Sequence, residues 1–408
     1  MPHRIRSTSF AVTIAVAACT GTTGRADLSV RDSAGITIIK SAAAMWRGPE
    51  AWRLDATPAL RIGLQEGDER YLFAGIVGAG RLDDGRIVVG DRTSGQVRFY
   101  GSDGVFERAE GRRGEGPGEF EYMRALSRCS RDSIFAFDLD WSAVVLTEDG
   151  DIAGEFRPYG PADQAAGRPY ELGCSGRGDW IATGWQRFEG RIPVGFYEAR
   201  APVWILRRVP SVDGRGETGG LRRIDIGEFV TSERIGTEHG SRPHPFGRGA
   251  VVAISDEAVF VGTAETLAVR EYTLGGVLRR VFAGPAVDLE IRGEDIGAWI
   301  DAETERARPE SRPALEREYH DMPLPPSFPA YTEARTDPDG ALWLRRFVRP
   351  GARGQTWAVF SAEGAYLGDV SVPASLTVLE IGSDYVLGAA VDDLGVERIE
   401  MYALRKGG

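Results

Sequence analysis

No asparagine occurs anywhere in the 408 residues, and lysine occurs only as Lys40 and Lys406. The first absence excludes N-linked glycosylation at Asn-X-Ser/Thr and leaves Asp-Gly to carry the tight turns that need positive φ. The second leaves Schiff-base chemistry without a good candidate, because almost every cation is an arginine, which does not lose its proton in proteins. A compositional bias toward Arg, Ala and Gly accounts for both absences. Histidine occurs four times and cysteine three times, so sites rich in imidazole or thiolate are also scarce. The formal net charge is −11, with 60 acidic residues against 49 basic ones. A chain with that balance has no electrostatic footprint for nucleic acid, whose phosphates demand clustered cations.

The first residues read as a targeting segment rather than as part of a fold. Arg4 and Arg6 form a short basic start, and Phe10 to Ala18 is an apolar run. That run is too short to span a bilayer, which needs about 20 apolar residues. It ends in Val16-Ala17-Ala18-Cys19, which resembles the lipobox of bacterial lipoproteins. The resemblance implies cleavage before Cys19 and acylation of that cysteine, so that the membrane becomes a partner through the lipid anchor. The alternative is an ordinary secretory signal cleaved nearby. Thr20, rather than Asp, follows the cysteine, which by analogy with Gram-negative sorting points to the outer membrane of the cell envelope. The domain reading is a signal peptide over 1–18, a lipidated tether over 19–35 and one repeat domain over 36–406.

One pattern recurs through that domain: a short apolar strand, a turn, then an alternating strand closed by a glycine turn. Its clearest copy is Arg86 to Asp91 followed by Gln96 to Tyr100 and Ser102-Asp103-Gly104. Further copies begin near 134, 180, 259, 342 and 385, which makes six. The spacing suits four-stranded blades, and each copy must stack on its neighbours to bury both faces. The apolar strands of the six copies are expected to be the inner ones. Ile36 to Ile39 is expected to supply the missing edge strand of the last blade and close the ring.

The first copy with its exit, including Gly114 to Phe120 (GEGPGEF), is similar to the NHL-like repeat. The whole of Asp32 to Lys406 resembles six-bladed β-propeller lipoproteins of bacteria. The resemblance includes the opening Asp-Ser-Ala-Gly-Ile of Asp32 to Ile36 and the closing Leu394 to Glu397. It implies an all-β fold, a six-bladed β-propeller with a small helical insertion and an N-terminal strand closing the last blade. It implies almost nothing about activity, because propellers host unrelated functions.

Two insertions interrupt the repeats. The first, about 213–249, is rich in Gly, Arg and Thr, with a short strand expected over Leu221 to Ile226. The second, about 288–331, carries Ile296, Trp299 and Ile300 at helical spacing, and a second short helix is expected from Pro309 to Tyr319. Trp299 reads either as a staple holding the helix to the propeller or as part of a partner-binding lid. Cys129 and Cys174 hold matching places in neighbouring blades. In an oxidising envelope they suit a disulfide; the alternative is two buried free thiols.

Catalytic motifs are sparse. His239 and His244 share a Gly/Pro loop without helical metal-ligand spacing, and His320 reads as a helix-end or surface residue. Gly173 to Arg177 lacks the last glycine of a nucleophile elbow. The glycines of 111–118 lack the lysine of a phosphate loop, and Arg112, Arg113 and Glu115 read first as blade-to-blade bridging. Asp138-Leu139-Asp140 lacks the glycine and distal Glu of a calcium loop. Gluconolactonase-like propellers hold a channel metal partly through asparagine, and streptogramin-lyase-like ones depend on histidine, so both resemblances weaken here. No catalytic residue, metal or cofactor is assigned. The expected function is a tethered binding or scaffolding propeller for a protein or small ligand, with Arg112, Trp185, His244 and Arg346 as candidate ligand-face residues. The rival expectation is a metal-dependent lactonase or lyase using channel carboxylates.

Overall fold

A computed structural model describes residues 27–407 except 131, 158–168, 185–191, 209–220 and 239. Cys19 with the whole signal segment, His239 and Trp185 therefore lie outside the described residues.

The fold is a β-propeller. Six antiparallel sheets follow one another along the chain among the described residues. Sheet one spans Ile76–Glu110, sheet two Ala125–Phe156, sheet three Pro169–Pro243, sheet four Val251–Ala283, sheet five Tyr331–Val372 and sheet six Leu376–Arg405. The first strands of sheets one to five touch in succession, and the first strand of sheet six returns to that of sheet one. Between sheets five and six, Arg335 Nη1 donates to the Leu379 carbonyl at 2.9 Å. Six sheets thus close a ring, and each sheet-to-sheet seam is a separate apolar cluster. The seam of sheets five and six buries Trp343 and Trp357 against Val378 and Val386. That of two and three buries Phe135 and Phe137 with Trp180, whose ring lies 5.0 and 5.4 Å from theirs.

The apolar strands beginning near 87, 134, 180, 259, 342 and 385 are not the innermost ones. They are the second strands, sandwiched within their sheets and therefore almost wholly buried, as at Ile87–Asp91 and Ala258–Gly262. The first strands face the axis and carry Gly78, Gly80, Arg81, Arg128, Glu333, Arg335 and Glu380. Strands that border a polar axis need no continuous apolar run, so their signal is weak.

The edge of sheet six is also closed by a different segment. The N-terminal hairpin β1 (Leu28–Ser33) and β2 (Ile36–Ser41) lies on sheet four, where Thr37 to Lys40 run parallel to Arg280 to Ala283. Sheet six is completed by β3 (Arg53–Leu54) and β4 (Leu60–Ile62), with Ile62 opposite Ile399. Ile39 is buried in the cluster joining sheets four and five, so β2 has its own apolar berth. Three residues of β4 are too few to show periodicity, yet they are the last strand before sheet one.

A disulfide joins the first strands of sheets two and three, Cys129 to Cys174, with sulfurs 2.10 Å and Cα atoms 5.1 Å apart. The first insertion is not a loop carrying a short strand. Gly195–Arg208 and Leu221–Thr237 pair over their length, bent by bulges at Ala199/Arg200 and Val203/Trp204. Gly240–Pro243 adds a third strand to the far end of this arm. The second insertion holds α1 (Gly293–Glu305) and α2 (Arg312–His320). No described helix is long and apolar enough to cross a membrane.

Candidate functional site

Apart from the parallel pairing of β2 on sheet four, strands alternate in direction within each sheet, so the molecule has two faces. One carries the first hairpin turn of every sheet; the other carries the sheet-to-sheet connections and the loops between second and third strands. Both insertions rise from this second, connection face.

There they meet. Arg242 pairs with Glu318 of α2 at 2.7 Å, and His244 Nε2 lies 3.0 Å from the Pro323 carbonyl. Phe246 sits between Trp299 of α1 and Phe328, with ring centroids 5.3 and 5.2 Å away. Trp299 in turn rests on Tyr319 at 4.5 Å, so it fastens both helices to the loop returning from the arm. Beneath this contact Glu233, 2% exposed, accepts the Arg248 amide at 2.8 Å and its Nε at 2.9 Å.

The helical insertion then reaches sheet five. Asp295 in the first turn of α1 accepts Arg349 Nη1 at 3.0 Å, and the Asp288 carbonyl accepts Arg349 Nη2 at 3.0 Å. The Arg349 guanidinium lies over Phe328, 5.0 Å from its centroid, and Phe328 stacks on Phe347 at 4.9 Å. Between this bracket and the loop after Leu342–Arg346 lies a cleft of 280 Å³. Its floor and walls include Val287, Leu289, Phe328, Ala330 and Phe347, and its polar groups include Arg346, Arg349 and Arg353. An apolar cleft with a few convergent polar groups is the ordinary form of a small-ligand site. A second, wider cleft of 660 Å³ lies on the other side of 285–289, beside Lys40 and Glu265.

Of the four residues singled out from the sequence, the three that are described do not converge. Arg346 alone lines the smaller cleft, where Asp369 holds its Nε at 2.9 Å and the Tyr366 hydroxyl accepts its Nη2 at 3.0 Å. Burial, with Asp369 alongside, pushes the Tyr366 hydroxyl up to about 12. Arg112 lies in the connection between sheets one and two, its side chain 78% exposed and its Nε 2.6 Å from Glu119. It takes no part in the cleft. His244 is 4% exposed and is a brace rather than a ligand-face residue. Its Nδ1 accepts the Phe246 amide at 3.0 Å while Nε2 faces the Pro323 carbonyl, and burial holds its pKa below the usual value. The neutral Nε2–H tautomer satisfies both contacts. Trp185 lies outside the described residues.

At the opposite mouth of the ring, Arg128 pairs with Asp83 at 2.8 Å and Glu148 at 3.4 Å. Glu380 accepts the Tyr385 hydroxyl and the Arg81 amide, and burial raises its pKa. A Cβ on Gly80 would come within 2.9 Å of the Glu380 carboxylate, which would have to shift to admit it. These charges are consumed by one another and tie sheets six, one and two together. Among the described residues no group of three or more His, Cys, Asp or Glu side chains could hold a metal ion.

No family model matches the chain, and no curated protein matches its sequence. Solved structures resemble it in shape at low identity. A Bacteroides fragilis protein bearing the name of an exported protein is 11% identical over 91% of this chain and 100% of its own, with a TM-score of 0.46. A gluconolactonase of Xanthomonas campestris is 11% identical over 82% of this chain and 87% of its own, at 0.43. A virginiamycin B lyase of Staphylococcus aureus is 12% identical over 87% of this chain and 100% of its own, at 0.41. None of these carries a residue role across.

Arg349, Arg353, Phe328 and Phe347 escaped the sequence reading. The one visible signal for Arg349, Arg353 and Phe347 is Arg345 to Gly354 (RRFVRPGARG), where four arginines crowd a Pro/Gly loop that follows a strand. Function often sits on such loops when a rigid scaffold positions them.

Proposed function

We propose that the chain is a six-bladed binding propeller, anchored in the cell envelope through Cys19, that holds a small ligand in the 280 Å³ cleft between its helical insertion and sheet five. One observation carries this reading. The two insertions, separate in sequence, are braced together on the connection face, and the ends of the second form one wall of an apolar cleft lined by three arginines. A propeller needs neither insertion to close its ring, so chain spent on a preformed cleft is best explained by what the cleft holds.

The reading makes Ala352→Trp a blocking variant. Ala352 is exposed and lines the cleft, so the indole should fill the space without disturbing any sheet. Thermal melting against a panel of small acids, amines and sugars should raise the midpoint of the native protein with one class and leave the variant unmoved. An equal response of both, or no response of either, would contradict the site. The anchor has its own test. Cys19→Ser should move the protein from the membrane fraction to the soluble one, whereas unchanged fractionation would exclude lipidation at that residue.

A further inference from the structure

We infer that the cleft takes a small monocarboxylic acid with an apolar body; this rests on the cleft being the ligand site. The walls provide for the body. Phe328 and Phe347, stacked on each other with centroids 4.9 Å apart, form one apolar block, and Val287, Leu289 and Ala330 continue its surface. A cavity of roughly 150 Å³ suffices for benzene. The 280 Å³ here leaves room for a single ring with a short arm.

The ion pairing around the cleft points to the head group. Arg346 is balanced by Asp369, and Arg349 by Asp295 with Asp288. Arg353 has no acidic partner among the described residues and stands exposed on the loop that forms the cleft's rim. Arg353 is therefore the one guanidinium of the lining whose donors have no carboxylate partner among the described residues, and it is the group placed to receive a ligand's carboxylate. Asp288, also in the lining, opposes a second charge on the ligand and so disfavours phosphate esters and dicarboxylates. Guanidinium is the side chain best matched to a carboxylate, because it offers two parallel N–H donors. The loop's shape keeps Arg353 at the rim. Gly351 and Gly354 flank it at φ of 76° and 99°, conformations that other residues rarely adopt, and the Ala352 amide donates to the Arg349 carbonyl at 3.0 Å.

The test is isothermal titration of the native protein with phenylacetate, 2-phenylethanol and phenethylamine, three probes that share a ring and differ in head group. Phenylacetate should bind one to one and at least about tenfold more tightly than the alcohol, a difference of about 1.4 kcal/mol. The amine should bind weakest. Arg353→Ala should remove about that tenfold for phenylacetate and leave the alcohol unchanged, while Arg353→Lys should restore part of it. If the alcohol binds as well as the acid, or Arg353→Ala changes nothing, the carboxylate assignment is overturned and the cleft stands as a site for neutral ligands. If none of the three binds, the cleft itself is overturned as the site along with the ligand class.

Discussion

Replacing Cys129 and Cys174 together by alanine is expected to lower the unfolding free energy by about 4 kcal/mol, the chain-entropy value for a closed loop of this size. The bond closes a loop of 45 residues and joins the first strands of sheets two and three. Its effect is mainly on the unfolded chain, which without the bond regains the freedom to separate those strands. Location adds to it, because a propeller opens at whichever seam fails first, and this seam alone has a covalent tie among the described residues. Equilibrium unfolding in guanidinium chloride should show a lower midpoint for the double variant, and for the native protein under reductant. Equal midpoints with and without the bond would contradict this account.

Glu233→Ala should be as damaging and more local. The carboxylate is buried with Arg248 around it, and removing one partner of a buried ion pair costs about 3–5 kcal/mol, because the other is left uncompensated. The loss falls where Glu233 acts, since its backbone also pairs with Arg248 and His244 and so fixes the loop that presents Phe246 to the helices. Amide hydrogen exchange over 228–250 should accelerate by about a hundredfold or more, following the lost free energy of local opening. Glu233→Gln keeps an acceptor and should lie between. Protection of 228–250 unchanged in the alanine variant would show that the arm is held by something else.

The same residues explain what could be read in advance. The second strands were legible because burial on both sides demands unbroken apolar runs such as Ile87-Val88-Val89. The first strands were not, because Gly80, Arg128 and Glu380 answer to partners in other sheets. The helix was legible at Ile296, Trp299 and Ile300, and Trp299 is the staple its spacing allows. The arm was hidden because its outer half lies beyond the propeller, where Glu233 is buried through its ion pair with Arg248, so burial there does not follow an apolar alternation. His244 misled for a related reason. A histidine among Gly and Pro reads as solvated, but the arm and Pro323 enclose it. Arg112 was visible as a cation in a turn, while the contact that occupies it, Glu119, depends on how Gly114 to Phe120 folds back.

The cleft could not have been read from sequence at all. Its lining comes from 287–289, 328–330 and 346–356, and whether each arginine is free depends on Asp295 and Asp369, which lie outside the lining. Sequence shows four arginines in RRFVRPGARG; only the fold shows which one is left unbalanced.

The most direct test of the site is photolabelling of the native protein with 4-azidophenylacetate, a photoreactive single-ring carboxylate, followed by peptide mapping. The account predicts crosslinks within 328–330 or 347–356, suppressed by excess phenylacetate. Crosslinks confined to the Lys40 cleft or to the turn bearing Arg112, or crosslinks that excess phenylacetate does not suppress, would contradict it.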